Sequence, residues 1–309
     1  MGHRQFLPAN HPLRKEGKHF KGEQEMCSKP LHRCGKRLHS MLKDVEVIYG
    51  KGHGSKPAPK DENRRAPMWK KKSIFWELPY WECLEVRHTI DVMHVTKCLC
   101  VNLLGFLGVY GKGRDTMQAR QDLKHLGQRK DLHPEKRTNG QHYLHPASYT
   151  LSKEEKQSMF DCLNSIKVPF GYSSNVKGII QMKEKKFTNL KSHDCHVLMT
   201  QLLPVALRGI LPENVRLAIV KLCAFLNEIS QKVIDPNKLS RMQNDVVQCL
   251  VSFEMVFPPS FFNITAHLIT HLVKEISILG PIFLHTMFPF ERYMAVLKKY
   301  IRNHSHLEG

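Results

Sequence analysis

The feature that most limits the fold is a series of five apolar stripes, each spaced as on one face of an α-helix. The segments are 192–203, 212–233, 237–257, 260–279 and 290–301. Prolines and glycines separate them, as at Asp235-Pro236 and Gly280-Pro281. Proline removes an amide donor and glycine readily leaves the helical conformation, so both residues interrupt helices. The pattern predicts that residues 185–309 form an all-α C-terminal bundle with short connections.

Three more helices are predicted upstream of the bundle. Apolar residues recur at three- and four-residue steps over 92–107, which places them on one helical face. A shorter helix is predicted over 116–126. Ser152 and Glu155 have the spacing of a capping box, which predicts a helix over 152–166. The stretch from 170 to 190 is rich in glycine, serine and lysine and is predicted to be a linker.

The first 72 residues are rich in lysine, arginine, histidine, glycine and proline. Such a segment has too little apolar surface to offset the entropy of ordering, so we expect it to be largely irregular and disordered. Within it, residues 38–49 carry apolar spacings that fit either a helix or a strand. The fold class predicted for the whole chain is mainly α.

The charge balance points to a polyanionic partner. Lysine and arginine total 47 against 28 acidic residues, a formal net charge of +19. Such an excess makes a polyanionic partner a reasonable first hypothesis, but charge alone does not identify the polyanion. If the partner is DNA, Lys70, Lys71 and Lys72 are the predicted contacts. The alternative is a solvated basic surface or arm that binds nothing.

Cysteine usage and the N-terminus argue against a secreted protein. The nine cysteines show no regular framework, and no apolar signal sequence follows Met1. The most apolar stretch, 276–290, is shorter than the roughly 20 residues of a membrane helix. We therefore expect an intracellular protein that is not in a membrane.

A first candidate site lies on the helix predicted over 92–107. Asp91, His94 and Cys98 are spaced so that all three project from one helical face, and an acid, an imidazole and a thiol together can hold a metal. The competing interpretation is structural. Asp91 would cap the helix, and the other two side chains would pack against the core.

Histidines supply two weaker candidates. His267 and His271 have the i, i+4 spacing of a zinc-protease helix, but Leu268 stands where that chemistry needs a glutamate, which excludes a metalloprotease of this type. His3 and His11 flank a proline-containing loop and would form a zinc site only with cysteines supplied from elsewhere.

Several long strings, in the same order, are similar to the plant CACTA-type (En/Spm) transposase. They are MGHRQFLPANH at 1–11, KKKSIFWELPYW at 70–81, RHTIDVMH at 87–94, LKSHDCHVLM at 190–199, LLPVA at 202–206 with GILP at 209–212, FPPSFF at 257–262 and PFERYM at 289–294. In this resemblance, residues 1 to about 110 look like the end of the transposase domain, and about 185–309 look like the helical domain that follows it. Together with the change in composition, this divides the chain into a basic segment at 1–72, the end of a transposase domain at 73–170 and an all-α domain at 185–309.

The resemblance implies an RNase H-like α/β nuclease domain, of which this chain would hold a remnant. Such enzymes use three carboxylates to bind two Mg²⁺ or Mn²⁺ ions for strand cutting and transfer at transposon ends in the nucleus. Asp91 and His94 match the Asp-x-x-His signature of the family. Glu291 is the candidate for the late acid, with Glu275 and Glu254 as alternatives. His3 and His11 match half of a zinc-binding element.

The chain also departs from the family pattern. The first catalytic carboxylate and a Cys-x-x-Cys pair are expected upstream of the segment that Met1 begins. Thr96 and Cys98 stand where glutamate and asparagine are expected. We therefore expect a truncated copy with a vestigial active site and no cofactor of its own, which retains affinity for DNA or for a protein partner. The alternatives are a domesticated DNA-binding or protein-interaction module and an active metal-dependent nuclease.

Overall fold

The structure is a computed structural model, and it describes residues 2–20, 22–43, 45, 73–111, 115–137, 140–168 and 175–300. The prediction of a mainly α fold is confirmed. The described helices are α1 (Pro12–Lys15), α2 (Gly35–Met41), α3 (Val92–Phe106), α4 (Met117–His125), α5 (Lys153–Ser165), α6 (Ser192–Val197), α7 (Leu203–Ala206), α8 (Glu213–Ile229), α9 (Leu239–Val256), α10 (Ile264–Leu279) and α11 (Phe288–Tyr300). Two antiparallel hairpins accompany them, β1 (Glu135–Lys136) with β2 (His142–Tyr143) and β3 (Ile180–Gln181) with β4 (Lys186–Phe187).

The chain divides into two compact units, which are Pro30–Thr89 and the combination of Met1–Lys29 with Ile90–Gly309. In the smaller unit, α2 packs on the short 3-10 turn Trp81–Cys83. Gly35 permits this approach, because a Cβ atom there would collide with the carbonyl oxygen of Glu82. The sequence was compatible with either a helix or a strand over 38–49. The structure has a helix at 35–41, which covers the start of that range.

In the larger unit, α9 packs against α8 and α10, and α3 packs against α6 and α10. A cluster of aromatic side chains, here the aromatic cluster, lies fully buried in its core: Phe106, Tyr149, Phe253, Phe257 and Phe261. These residues come from both sides of the predicted linker, so both parts of the chain contribute to one core. The predicted division of the chain into the segments 1–72, 73–170 and 185–309 stays a prediction.

Capping explains why the upstream helices begin where they do. The side chain of Asp91 accepts the amide of His94 at the start of α3, and Thr116 caps α4. Ser152 and Glu155 form the predicted capping box, since each side chain accepts the other residue's backbone amide at 3.1 and 2.8 Å. All three predicted upstream helices are present.

Two predicted helix ends differ from the structure. The helix predicted over 192–203 was expected to end before Pro204. Instead, the helical path that starts with α6 continues through a π-helical turn, Leu198–Leu202, into α7. Pro204 lies in the first turn of α7, where its missing amide is tolerated. Helix α8 ends at Ile229, before the predicted end at 233.

The described part of the predicted linker, from 175 to 190, is packed structure. Its β3–β4 hairpin carries Phe187, which is 2% exposed. The Phe187 amide donates a 2.8 Å hydrogen bond to the carbonyl of Val109, next to the end of α3. The linker interpretation was wrong here, because the buried residues Val176, Phe187 and Leu190 are too irregularly spaced to give a periodic signal in the sequence.

The last helix has an unusual setting. None of the side chains of α11 is buried, and α10 is bent from the stretch 282–300 by 89° at Gly280-Pro281. Within the described residues, no single helix combines the length and apolar character needed to cross a membrane. Taken together, Ile264–Leu279 and Ile282–Tyr300 have the length and apolar composition of a membrane span, but they are bent at the break between them.

Candidate functional site

The first candidate site consists of Asp91, His94 and Cys98. Asp91 caps α3, and His94 contacts Cys98 one turn further along the helix. Asp91 directs Oδ1 to the His94 amide at 3.1 Å, as an N-cap residue does. His94 Nε2 lies 3.3 Å from Cys98 Sγ on the same helix. The capping role that the sequence offered for Asp91 is therefore present, whereas Cys98 is only half-buried and pairs with His94.

Of the candidate late acids, Glu275 is the one next to the Asp91 segment. Its Oε1 accepts the Ile90 amide at 2.8 Å, and the residue is 6% exposed. Burial raises the pKa of Glu275, against the lowering effect of the Ile90 hydrogen bond. Glu291 instead lies exposed on α11. Asp91 and Glu275 thus each direct one carboxylate oxygen to a backbone amide.

His3 belongs to a partly buried group of side chains that we call the histidine cluster: His3, Glu254, His267 and His271. The 3-10 turn His3–Phe6 packs on α9, which carries Glu254. His3 Nδ1 lies 2.6 Å from Glu254 Oε1, and both side chains are 4% exposed. His3 Nε2 is 3.4 Å from His267 Nδ1 on α10, and His267 Nε2 is 3.2 Å from His271 Nε2.

His11, the other half of the predicted zinc element, has a different partner. Its Nδ1 accepts the Leu13 amide at 3.2 Å and caps α1.

The pKa of His267 is lowered by burial and, to a smaller extent, by the nearby charge of His3. The structure thus joins His3 to the α10 histidines, a connection that the sequence spacing did not indicate.

Two buried arginines hold the N-terminal segment, and sequence reasoning missed both. Arg4 donates to the carbonyl oxygens of Glu16 at 2.8 Å and Glu23 at 3.2 Å. Arg14 donates to the carbonyls of Glu25 at 3.1 Å and Leu7 at 3.3 Å. In the sequence, basic residues of a polar segment are expected to be solvated. In the structure, the planar guanidinium groups of Arg4 and Arg14 instead donate hydrogen bonds to backbone carbonyls of the surrounding loops.

A group of four lysines, which we call the lysine cluster, lies where α5 meets the β3–β4 hairpin: Lys153, Lys156, Lys185 and Lys186. Lys185 Nζ donates to the Lys153 carbonyl at 3.3 Å. Burial lowers the pKa of Lys156, and the charges of Lys186 and Lys185 lower it further. The like charges therefore lie close enough to repel one another.

Acidic side chains offset only part of this charge. Glu154 is exposed beside the cluster, and the charges of Lys185 and Lys153 add to the backbone and Ser152 hydrogen bonds that lower its pKa. Glu154 and Asp161 line a shallow groove together with Lys153 and Lys185. The predicted DNA contacts, Lys70 to Lys72, lie outside the described residues.

Comparison with known proteins gives one partial match. No curated protein and no solved structure matches the chain. Residues 229–309 match the family described as Domain of unknown function (DUF4218). The matched part spans α9 to α11 and so includes three members of the histidine cluster and both Glu275 and Glu291. The C-terminal part of the chain is therefore similar to a domain that is found in transposase-related plant proteins.

Proposed function

We propose that this protein derives from a plant CACTA-type transposase and binds the phosphate backbone of DNA in the nucleus, without cutting it by itself. The lysine cluster is the observation that carries the binding part of the proposal. The transposase part rests on the ordered strings quoted above and on the DUF4218 match at 229–309.

The physical case for DNA rests on charge that the protein itself neutralises only in part. Lys156 lies close enough to Lys185 and Lys186 to feel their charges. Lys153 and Lys185 line one groove with the acids Glu154 and Asp161, in a chain of net charge +19. Phosphates placed among these ammonium groups relieve their repulsion, and the counterions released from DNA add a favourable entropy. Lysine stems are flexible and bind as point charges, so this surface suits a backbone more than a particular base sequence.

The proposed lack of cutting rests on the carboxylates. A two-metal nuclease needs carboxylate oxygens turned toward the cations. Here Asp91 caps α3, Glu275 holds the Ile90 amide, and Glu291 is exposed on α11. The protein would then act by occupying DNA or by engaging a partner that supplies chemistry.

Replacing Lys153, Lys156, Lys185 and Lys186 together by glutamine tests the binding surface. We expect the affinity for a 30-base-pair duplex of arbitrary sequence to fall more than about 10-fold at ~0.1 M salt. The slope of log K against log salt should shrink by about 3.6 if all four lysines contact phosphates, since each lost contact removes roughly 0.9. Fluorescence anisotropy over a salt series measures both quantities.

A matched variant separates this surface from net charge. Lys124, Lys130, Lys136 and Lys238 are exposed elsewhere on the larger unit, and their replacement by glutamine removes the same charge. That variant should keep most of the affinity and slope. Equal losses in both variants, or a wild-type affinity that ignores salt, would show that the lysine cluster is not a DNA site.

A nicking assay tests the absence of cutting. Purified protein with supercoiled plasmid and Mg²⁺ or Mn²⁺ should leave the plasmid intact over hours, because within the described residues no three or more His, Cys, Asp or Glu side chains are grouped so that they could hold a metal ion. The Asp91→Ala variant serves as the control against contaminating nucleases. Metal-dependent nicking by the wild type that disappears in this variant would refute the proposal and favour an active nuclease.

A further inference from the structure

We infer that α11 pairs with α11 of a second copy of this chain, in an antiparallel arrangement that covers an apolar face left open by the fold. This pairing does not depend on the proposed DNA binding.

One side of α11 is apolar and exposed. Five large side chains, here the α11 face, recur at three- and four-residue steps and therefore share one side of the helix: Phe290, Tyr293, Met294, Leu297 and Tyr300. Each is between 37% and 77% exposed. Monomeric proteins rarely leave so many neighbouring apolar side chains uncovered, so a partner is expected on this face.

The break before α11 explains why the fold leaves this face open. Gly280 ends α10 with a φ of 83°, which favours glycine, and Pro281 follows it without an amide to continue the helix. The chain bends by 89° at this break. Phe288, the first residue of α11, contacts the rings of His193 and His196 at centroid distances of 6.3 and 6.5 Å. Every later residue of the helix is exposed.

The charges beside the face favour a second copy and set its direction. Glu291 and Lys298 are seven residues apart, nearly two helical turns, so they lie along the same edge of the α11 face. In a two-fold antiparallel pair, each edge lies beside the same edge of the other copy with its direction reversed. Glu291 of each copy is then next to Lys298 of the other, which makes two identical ion pairs. Arg292 and Lys299 lie further round the helix from the face, so their like charges stay apart.

The area of the face suits a weak, reversible dimer. Its three aromatic rings are each more than half exposed, so together they offer roughly 400 Å² per copy for burial. With Met294 and Leu297, the two copies bury on the order of 1,000 Å², near the lower limit of specific interfaces. The dimer is therefore expected to form in the micromolar range.

Sedimentation velocity of the full chain tests the pairing. At ~0.15 M salt, charges more than about 8 Å apart are largely screened, and the wild type should pass from monomer to dimer as its concentration rises. Leu297→Asp places a charge in the middle of the α11 face and should weaken the dimer at least about 10-fold. Ile264→Asp is the matched control, because Ile264 is exposed at the opposite end of α10, and it should leave the dimer unchanged.

Charge exchange tests the antiparallel direction. Glu291→Lys and Lys298→Glu each place like charges opposite one another twice, so each should weaken the dimer about 10-fold. An equal mixture of the two variants should recover the wild-type affinity, because both contacts in the mixed pair join opposite charges. Circular dichroism checks that these surface changes keep the helix content.

Three results would overturn the inference. The first is a wild type that stays monomeric at about 100 μM. The second is a dimer that Leu297→Asp leaves unchanged, or a variant mixture that does not recover. The third is a monomer whose binding to phosphatidylcholine–phosphatidylserine vesicles is lost in Leu297→Asp, which would assign the α11 face to a lipid surface instead.

Discussion

Asp115→Ala is expected to destabilise the larger unit by about 3–5 kcal/mol, because it leaves Arg120 as an unpaired buried charge. Arg120 donates to both Asp115 oxygens, at 2.8 and 2.6 Å, and the Tyr149 hydroxyl donates to the same carboxylate at 2.8 Å. The Arg120 and Asp115 side chains are 4% and 12% exposed. Burial alone would lower the pKa of Arg120, but the Asp115 hydrogen bonds and charge outweigh it and raise that pKa.

Urea denaturation followed by circular dichroism measures this loss. Asp122→Ala is the matched control, since Asp122 is exposed on α4 and only accepts a hydrogen bond from Gln118. It should cost less than about 0.5 kcal/mol. The double variant Asp115→Ala/Arg120→Met should recover part of the loss, because it also removes the buried charge. Similar losses for Asp115→Ala and Asp122→Ala would contradict the buried-pair explanation.

Phe257→Ala is expected to cost about 3–5 kcal/mol, as large-to-small changes do in a close-packed core. Phe257 is 1% exposed and lies at the centre of the aromatic cluster. Its ring centroid is 4.7 Å from that of Phe261, 5.0 Å from those of Phe253 and Tyr149, and 5.9 Å from that of Phe106. Neighbours from α3, α9 and the loops beside them cannot all close around the cavity left by the ring.

Thermal unfolding with both near- and far-ultraviolet circular dichroism tests this prediction. Phe290→Ala on α11 is the control, because Phe290 is 59% exposed and its removal opens no cavity. If residues on both sides of 170–190 share one core, Phe257→Ala should lower a single transition. Two transitions, with only one shifted, would show that the two parts unfold separately and that the aromatic cluster does not couple them.

The same cluster bears on how the candidate sites relate. The lysine cluster, on α5 and the β3–β4 hairpin, and the histidine cluster, on the N-terminal turn, α9 and α10, both belong to the larger unit. The stability variants change neither set of side chains. Loss of DNA binding in Phe257→Ala would therefore report on the fold and not on the lysine cluster, which is why the glutamine variants carry that test.

The sequence by itself determined the helices and much of where they begin. Apolar residues at helical spacing fixed α3, α5 and the five C-terminal segments, and the local pairs Ser152 with Glu155 and Asp91 with His94 set two helix starts. These signals are local: a helical face and a cap need only neighbours within four positions. Predictions of this kind therefore held.

Only the tertiary structure decided which distant side chains meet. Glu275 lies against Ile90, His3 against Glu254 and His267, and the hairpin lysines against α5. A stripe shows that a residue faces inward or outward, but the choice of partner depends on how the helices pack and where the loops cross them. Burial then changes how these histidines and carboxylates interact. A hydrogen bond between two buried groups is electrostatically stronger than the same bond in water.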